Sequence, residues 1–234
     1  MDSRSLTDNI AKVRSRISAA VTAAGRDPAS VELIAVSKTK PASLIEQAYA
    51  VGLRHFGENY VSEALEKIEV CKHLGICWHF IGPLQSNKTR AVAEHFDWIH
   101  SIDRLKLARR LSDQRPDSLP PLNICLQTNL DQEATKSGIT DEVELVDLVA
   151  AISELPKLRL RGLMAIPPAQ TNPDAQRQAF ARVRELSLQH CAPLGANELS
   201  MGMSGDLEAA IAEGATMVRI GTDLFGTRYN AQPK

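Results

Sequence analysis

Aromatic side chains are scarce in this sequence: Phe, Trp and Tyr make up 4% of its 234 residues. The core must therefore be aliphatic, drawn from a hydrophobic content of 44%. That is enough for one sizeable core, and a single domain over 1–234 is expected. An excess of one charge is missing too. Lys and Arg number 27 against 28 Asp and Glu, a formal net charge of -1, so nothing advertises a nucleic acid or an anionic membrane as partner. Cysteine is sparse. Cys71, Cys77, Cys125 and Cys191 form no C-x-x-C pair and have no His at zinc-ligand spacing. They read as reduced thiols, with no disulfide and no metal. No apolar run reaches the roughly 18 residues that span a bilayer. The opening MDSRSLTDN has no apolar stretch of signal-peptide type, so a cytoplasmic protein is expected.

What is present is an alternation. Ile10, Val13, Ile17 and Val21 recur at helical steps, and Gly25 closes that first helix. Strand-like runs then follow at 31–37, 53–58, 77–82, 98–102, 122–129, 158–166, 197–202 and 216–222. Helical patterns separate them at 41–52, 60–75, 87–96, 103–113, 141–155, 174–190 and 206–214. Eight strand–helix units with short connections predict an α/β fold, a parallel sheet closed into a (β/α)₈ barrel with an extra N-terminal helix. A doubly wound open sheet is the alternative. The Pro-rich stretches at 115–122 and 167–176 are too short for interdomain linkers and read as barrel loops.

The strand LIAV stops on Ser37-Lys38-Thr39-Lys40. In a barrel this puts Lys38 just past the C-terminal end of the first strand, the face on which barrel enzymes carry their chemistry. GPLQSNKT at 82–89 imitates a phosphate-binding P-loop. It fails because Asn87 replaces the second glycine and Pro83 removes a backbone N–H. The last third is richer in small residues. Ser200, Gly202, Ser204 and Gly205 precede a helix, and Gly221 and Thr222 end the eighth strand. Exposed N–H groups there can receive an anion, and barrels often hold phosphate between their seventh and eighth loops. The plain alternative is a set of tight turns. Arg219, inside the apolar run MVRIGT, needs a partner if its strand is buried. Alternation puts it on the same side as Gly221. A lysine amine, an anion site and a buried arginine on one face suit pyridoxal phosphate.

AVSKTKP, FGENYVSEAL, WHFIGPLQSNK, RGLMAI, LSMGMSGDLEAAI and VRIGTDLFG, in this order over nearly the whole chain, resemble the pyridoxal phosphate homeostasis protein family, also called the YggS or proline-synthase co-transcribed family. The resemblance implies a barrel like the N-terminal domain of alanine racemase, with pyridoxal 5'-phosphate as cofactor and a role in vitamin B6 homeostasis. It implies that Lys38 is the Schiff-base lysine and that Ser200, Gly221 and Thr222 hold the phosphate, with a backbone contact from Met201. Arg219 would face the pyridine nitrogen, and Asn59, His79 and Met164 would line the ring pocket. Asp223 departs from the small residue expected after IGT and would oppose the phosphate if it pointed inward. His55, His73, His95, His100 and His190 show no ligand spacing and read as structural or solvated. Glu58, at a strand end, is a candidate to orient a polar neighbour.

Two functions compete on these residues. A carrier would bind the cofactor, buffer it and supply it, meeting apo-enzymes or a regulatory protein transiently as a monomer. An amino-acid racemase would need two proton-transfer groups on opposite faces of the α-carbon. Lys38 can be one, but none of Tyr49, Tyr60 and Tyr229 has an evident claim to be the other. An arginine at the ring nitrogen also leaves it unprotonated and a weak electron sink. The carrier is the expected reading and the racemase-like enzyme the alternative. A cofactor-independent Schiff-base aldolase would use Lys38 but leave Arg219 and Gly221 unexplained.

Overall fold

The computed structural model describes residues 3–130, 137–168 and 172–226. Eight strands, β1 (Glu32–Val36), β2 (His55–Glu58), β3 (Cys77–Phe80), β4 (Trp98–Ile102), β5 (Leu122–Thr128), β6 (Leu158–Ala165), β7 (Glu198–Ser200) and β8 (Met217–Ile220), pair in parallel in sequence order, and β8 returns to β1. The sheet is a closed barrel, and the open-sheet alternative is excluded. Helices α2 (Ala42–Ala50), α3 (Val61–Val70), α4 (Thr89–His95), α5 (Leu105–Gln114), α6 (Glu142–Ser153), α7 (Pro173–His190) and α8 (Leu207–Ala212) each follow a strand.

Two further α-helices lie among the described residues. The N-terminal α1 (Ser3–Ala23) buries Leu6, Ile10, Val13, Ile17 and Val21 and packs on α8 and on a one-turn helix, α9 (Thr222–Phe225). Burying side chains of this size is worth about 1.5–3 kcal/mol each, so α1 is a structural part of the wall beside the eighth strand. Gly25 closes α1 in the left-handed region, φ 64°. The sequence pattern runs the eighth strand to Thr222. In the structure β8 stops at Ile220, and Gly221 and Thr222 turn into α9. Gly162 sits at a register shift between β5 and β6, with φ 146°. A β-carbon there would lie 1.9 Å from the Glu198 carbonyl oxygen, so only glycine fits.

The barrel wall is apolar outside and mixed within. Leu33, Ala35, Phe56, Trp78 and Phe80 pack against the helices. Ile34, Cys125, Met164 and Met217 form a small separate cluster. Around it Arg219, Ser200, His100 and His79 are buried and bonded to one another across the lumen.

Candidate functional site

The segment after β1 is fixed by a buried ionic network. Ser37 Oγ donates to Glu58 Oε1 at 2.6 Å, and Lys67 Nζ donates to the Ser37 carbonyl at 2.8 Å and to Glu58 Oε1 at 2.7 Å. Glu63 takes a third bond from Lys67 and accepts from the Thr39 N–H at 2.6 Å. Thr39 is held at φ 63°, a conformation that costs a β-branched residue strain and persists only where its surroundings over-determine it. The half-buried Lys38 stands between the two anchored residues. Glu58, fully buried at the end of β2, thus orients the lysine-bearing loop. Burial pushes its carboxyl above the usual range, and Lys67 and Ser37 pull it back only in part.

Lys38 opens on a cavity of about 290 Å³ at the C-terminal mouth of the barrel. Asn59, Ile81, Ile166, Arg219, Gly221 and Thr222 line it, together with Met203, Ser204 and Gly205 from the seventh loop. Asn59 Oδ1 is buried without a hydrogen-bond partner among the described residues, so this wall holds an unsatisfied acceptor. Opposite, the backbone N–H groups of Ser204, Gly205, Gly221 and Thr222 make no hydrogen bond among the described residues. Lined by an amine, a buried cation and free donors, the cavity suits an anionic carbonyl compound. A neighbouring cavity of about 480 Å³ shares Asn59 and is lined by Tyr60, Gln85, Lys88 and Arg104.

Asp223 does not enter the cavity. Its carboxylate accepts from Arg16 of α1 at 2.6 Å, and the same guanidinium binds Glu208 and the Ser204 carbonyl. Arg16 thereby pairs with two acids beside the mouth and ties α1 to the seventh and eighth loops. Lys40 donates to the carbonyls of Phe225 and Gly226, closing α9.

Arg219 forms the floor. Its Nη1 donates to the Ser200 carbonyl at 2.5 Å and to Ser200 Oγ at 2.7 Å, and its Nη2 to the Ala165 carbonyl at 2.9 Å. Burial lowers its pKa to about 10, so it remains a cation at neutral pH. Below it runs a chain of side chains. Ser200 Oγ meets His100 Nδ1 at 2.7 Å, His100 Nε2 meets His79 Nδ1 at 2.9 Å, and His79 Nε2 meets His55 Nδ1 at 2.9 Å. His55 Nε2 lies 3.6 Å from Glu32 Oε2. Donor capacity assigns the direction. Arg219 can only donate, so Ser200 Oγ accepts from it and gives its own proton to His100 Nδ1. Each imidazole then passes its Nε2–H onward, ending toward Glu32, and no proton is left without an acceptor. Burial lowers His100 to about 3 and His79 well below the ordinary range, where the neighbouring histidines add to the effect, so both rings are neutral.

Of the residues expected from sequence, Lys38, Asn59, Arg219, Gly221 and Thr222 meet around one cavity. Ser200, Met201, His79 and Met164 do not line it. Ser200 points into the lumen, its hydroxyl engaged by Arg219 and His100. The Met201 N–H donates to the Met217 carbonyl. His79 stacks on Trp98 within the barrel, and Met164 packs with Ile34 and Cys125. From the seventh loop, Met203, Ser204 and Gly205 line the cavity. His55 and His100, read from the sequence as structural or solvated, are linked through His79. Of the tyrosines, Tyr49 accepts from the Gly75 N–H and lies under Arg54, Tyr60 is exposed on the neighbouring cavity, and Tyr229 lies outside the described residues.

The alanine racemase N-terminal domain model matches residues 1–229. A pyridoxal phosphate homeostasis protein of Pseudomonas aeruginosa is 60% identical over 228 residues, covering 97% of this chain and 98% of that protein. Its namesake in Escherichia coli K12 is 53% identical, covering 95% and 97%. The solved structure of PipY from Synechococcus elongatus with PLP bound superposes with a TM-score of 0.82 at 40% identity, covering 94% of this chain and all of that one. Alanine racemase from Corynebacterium glutamicum shares the fold, with a TM-score of 0.70 at 18% identity; this chain spans 63% of its length. No helix among the described residues is long and apolar enough to cross a membrane.

Proposed function

The chain belongs to the alanine racemase N-terminal domain family, and we propose that it is the family's carrier form, binding pyridoxal 5'-phosphate reversibly to buffer and supply it without turning over amino acids. The observation that carries this reading is the cavity in which Lys38, the buried Arg219 and four unengaged N–H groups converge. Pyridoxal phosphate brings an aldehyde that condenses with a primary amine, a phosphate dianion, and a ring nitrogen that accepts a hydrogen bond. Lys38 is the amine held for the aldehyde. Gly221, Thr222, Ser204 and Gly205 would take the phosphate, and Arg219 the ring nitrogen. Asn59 would line the ring with its unsatisfied acceptor. The PLP-bound PipY structure and the names of the close relatives support the same ligand.

The absence of turnover rests on proton bookkeeping. Arg219 holds its own proton and leaves the ring nitrogen unprotonated, which weakens carbanion stabilisation. No tyrosine lines the cavity among the described residues, and Lys40 is engaged by the end of α9. Among the described residues, then, the cavity lining offers no second base on the face opposite Lys38.

Two measurements test the proposal. Borohydride reduction of the loaded protein, followed by peptide mass spectrometry, should place the label on Lys38; label on Lys40, Lys88 or Lys136 would move the site. Incubation with L- and D-amino acids in D₂O should give no Lys38-dependent exchange at the α-carbon, while mixing with an apo-enzyme should transfer the cofactor. Steady exchange after removal of free cofactor would establish a working base and replace the carrier by the racemase-like enzyme.

A further inference from the structure

His55 and Cys77 are the first residues of β2 and β3, and they are direct register partners. In a parallel barrel this places them at the N-terminal mouth, opposite the Lys38 cavity. His79, two residues after Cys77, points into the lumen on the same side of its strand. His79 Nε2 lies 2.9 Å from His55 Nδ1 and 3.4 Å from Cys77 Sγ, and the three donor atoms all lie within 4.8 Å of one another. We propose that His55, Cys77 and His79 bind a borderline-soft divalent cation of the zinc class at this mouth.

The geometry fits that class. With Zn–N near 2.0–2.1 Å and Zn–S near 2.3 Å, tetrahedral ligands stand about 3.3 Å apart for two nitrogens and about 3.5 Å for nitrogen and sulfur. The separation of Cys77 Sγ from His79 Nε2 is already right, the two imidazoles must open by a few tenths of an ångström, and His55 Nδ1 and Cys77 Sγ stand within 4.8 Å of each other. Two imidazoles and one thiolate favour zinc, cobalt or copper over magnesium and calcium, which prefer oxygen. Three protein ligands leave a fourth position for water. His55 is partly exposed, with 28% of its side chain accessible, and it lines a surface cavity with Glu32 and Arg54, so a cation can enter. His79 has the outer partner that ligating histidines usually have, since its other ring nitrogen meets His100.

The site is connected to the cofactor cavity by proton placement. Without metal, His79 Nε2 carries the proton that goes to His55. A cation at Nε2 needs that lone pair, so His79 must carry its proton on Nδ1 and donate it to His100 Nε2. His100 then carries its proton on Nδ1 and donates it to Ser200, whose hydroxyl must turn away. Both imidazoles keep one proton each, and the only net loss is the Cys77 thiol proton, released to solvent. Arg219 would then share Ser200 Oγ with a second donor.

Cobalt(II) is the direct probe, because a thiolate ligand gives it a near-ultraviolet charge-transfer band. Tag-free, chelator-treated full-length chain should take up one equivalent at micromolar cobalt with that band, and zinc should displace it. Cys77→Ser should abolish the band, and His55→Ala should weaken binding at least tenfold. Cys191→Ser, at a buried thiol at the end of α7, should leave the band unchanged. Thermal unfolding of each variant separates lost binding from lost fold. Absence of the band in the parent chain, or its persistence in a folded Cys77→Ser variant, would overturn the site. Histidine ¹⁵N spectra should show the His100 proton moving from Nε2 to Nδ1 on zinc addition. An unmoved proton would overturn the connection to Arg219.

Discussion

Lys67→Met should destabilise the fold by about 3–5 kcal/mol, the usual cost of leaving one member of a buried ion pair alone. Glu58 is fully buried, its Oε2 has no partner among the described residues, and Lys67 is the cation at its Oε1. The deficit should depend on pH in a stated direction. Burial raises the Glu58 carboxyl, with Lys67 the principal influence lowering it. Removing Lys67 raises it further. A carboxyl whose pKa is higher folded than unfolded contributes stability below its unfolded pKa and loses it as pH rises through the folded value. Urea unfolding should therefore find the largest deficit near about pH 8 and a narrowing gap toward about pH 5. Lys67→Met/Glu58→Gln should recover much of the loss, since no charge is then stranded. A deficit below about 1 kcal/mol, within the surface ion-pair range, or one that ignores pH, would deny the network its role. The same variant should loosen the Thr39 turn and reduce covalent trapping at Lys38.

The barrel was legible because its signal is local. Each strand is a short apolar run and each helix a periodic one, and eight alternations leave little but closure. Lys38, Arg219 and Gly221 were legible because strand ends and strand parity place them without knowledge of contacts. Ser200 belongs to the same small-residue stretch as Ser204 and Gly205, but it still lies in β7, with its hydroxyl engaged by Arg219 and His100. The loop leaves the wall only afterwards. Lys67 looks like any lysine on an amphipathic helix, and only folding against β2 shows that it is buried. The histidine chain had no sequence signature at all. His79 and His100 stand 21 positions apart and His100 and Ser200 stand 100 apart; they meet across the lumen once the sheet closes. Asp223 was judged by its neighbours in sequence, whereas its partner, Arg16, is 207 positions away.

Cofactor affinity should fall at least a hundredfold in Gly221→Val and about ten- to a hundredfold in Thr222→Ala, measured by equilibrium dialysis of pyridoxal phosphate. Thr222→Ala removes one hydroxyl contact to a charged group, worth about 1.5–3 kcal/mol. Gly221→Val disturbs more. A β-carbon at Gly221 would lie 3.3 Å from the Val36 carbonyl oxygen and 3.4 Å from Val36 Cβ, already at the limit of ordinary packing. The two further methyl groups of valine can only crowd β1 or the cavity. Crowding β1 shifts the strand that leads to Lys38; crowding the cavity keeps the phosphate from the N–H groups of Gly221 and Thr222. Two charge-assisted bonds are then at stake rather than one, about 3–6 kcal/mol together. Gly221→Ala separates the two causes: its single methyl packs on Val36 without branching, and a few-fold loss is expected. Thermal unfolding should show Thr222→Ala unchanged in stability, since that exposed side chain is not part of the core. Unaltered retention in both Gly221→Val and Thr222→Ala would place the phosphate elsewhere, with the neighbouring cavity of Lys88 and Arg104 the next site to probe.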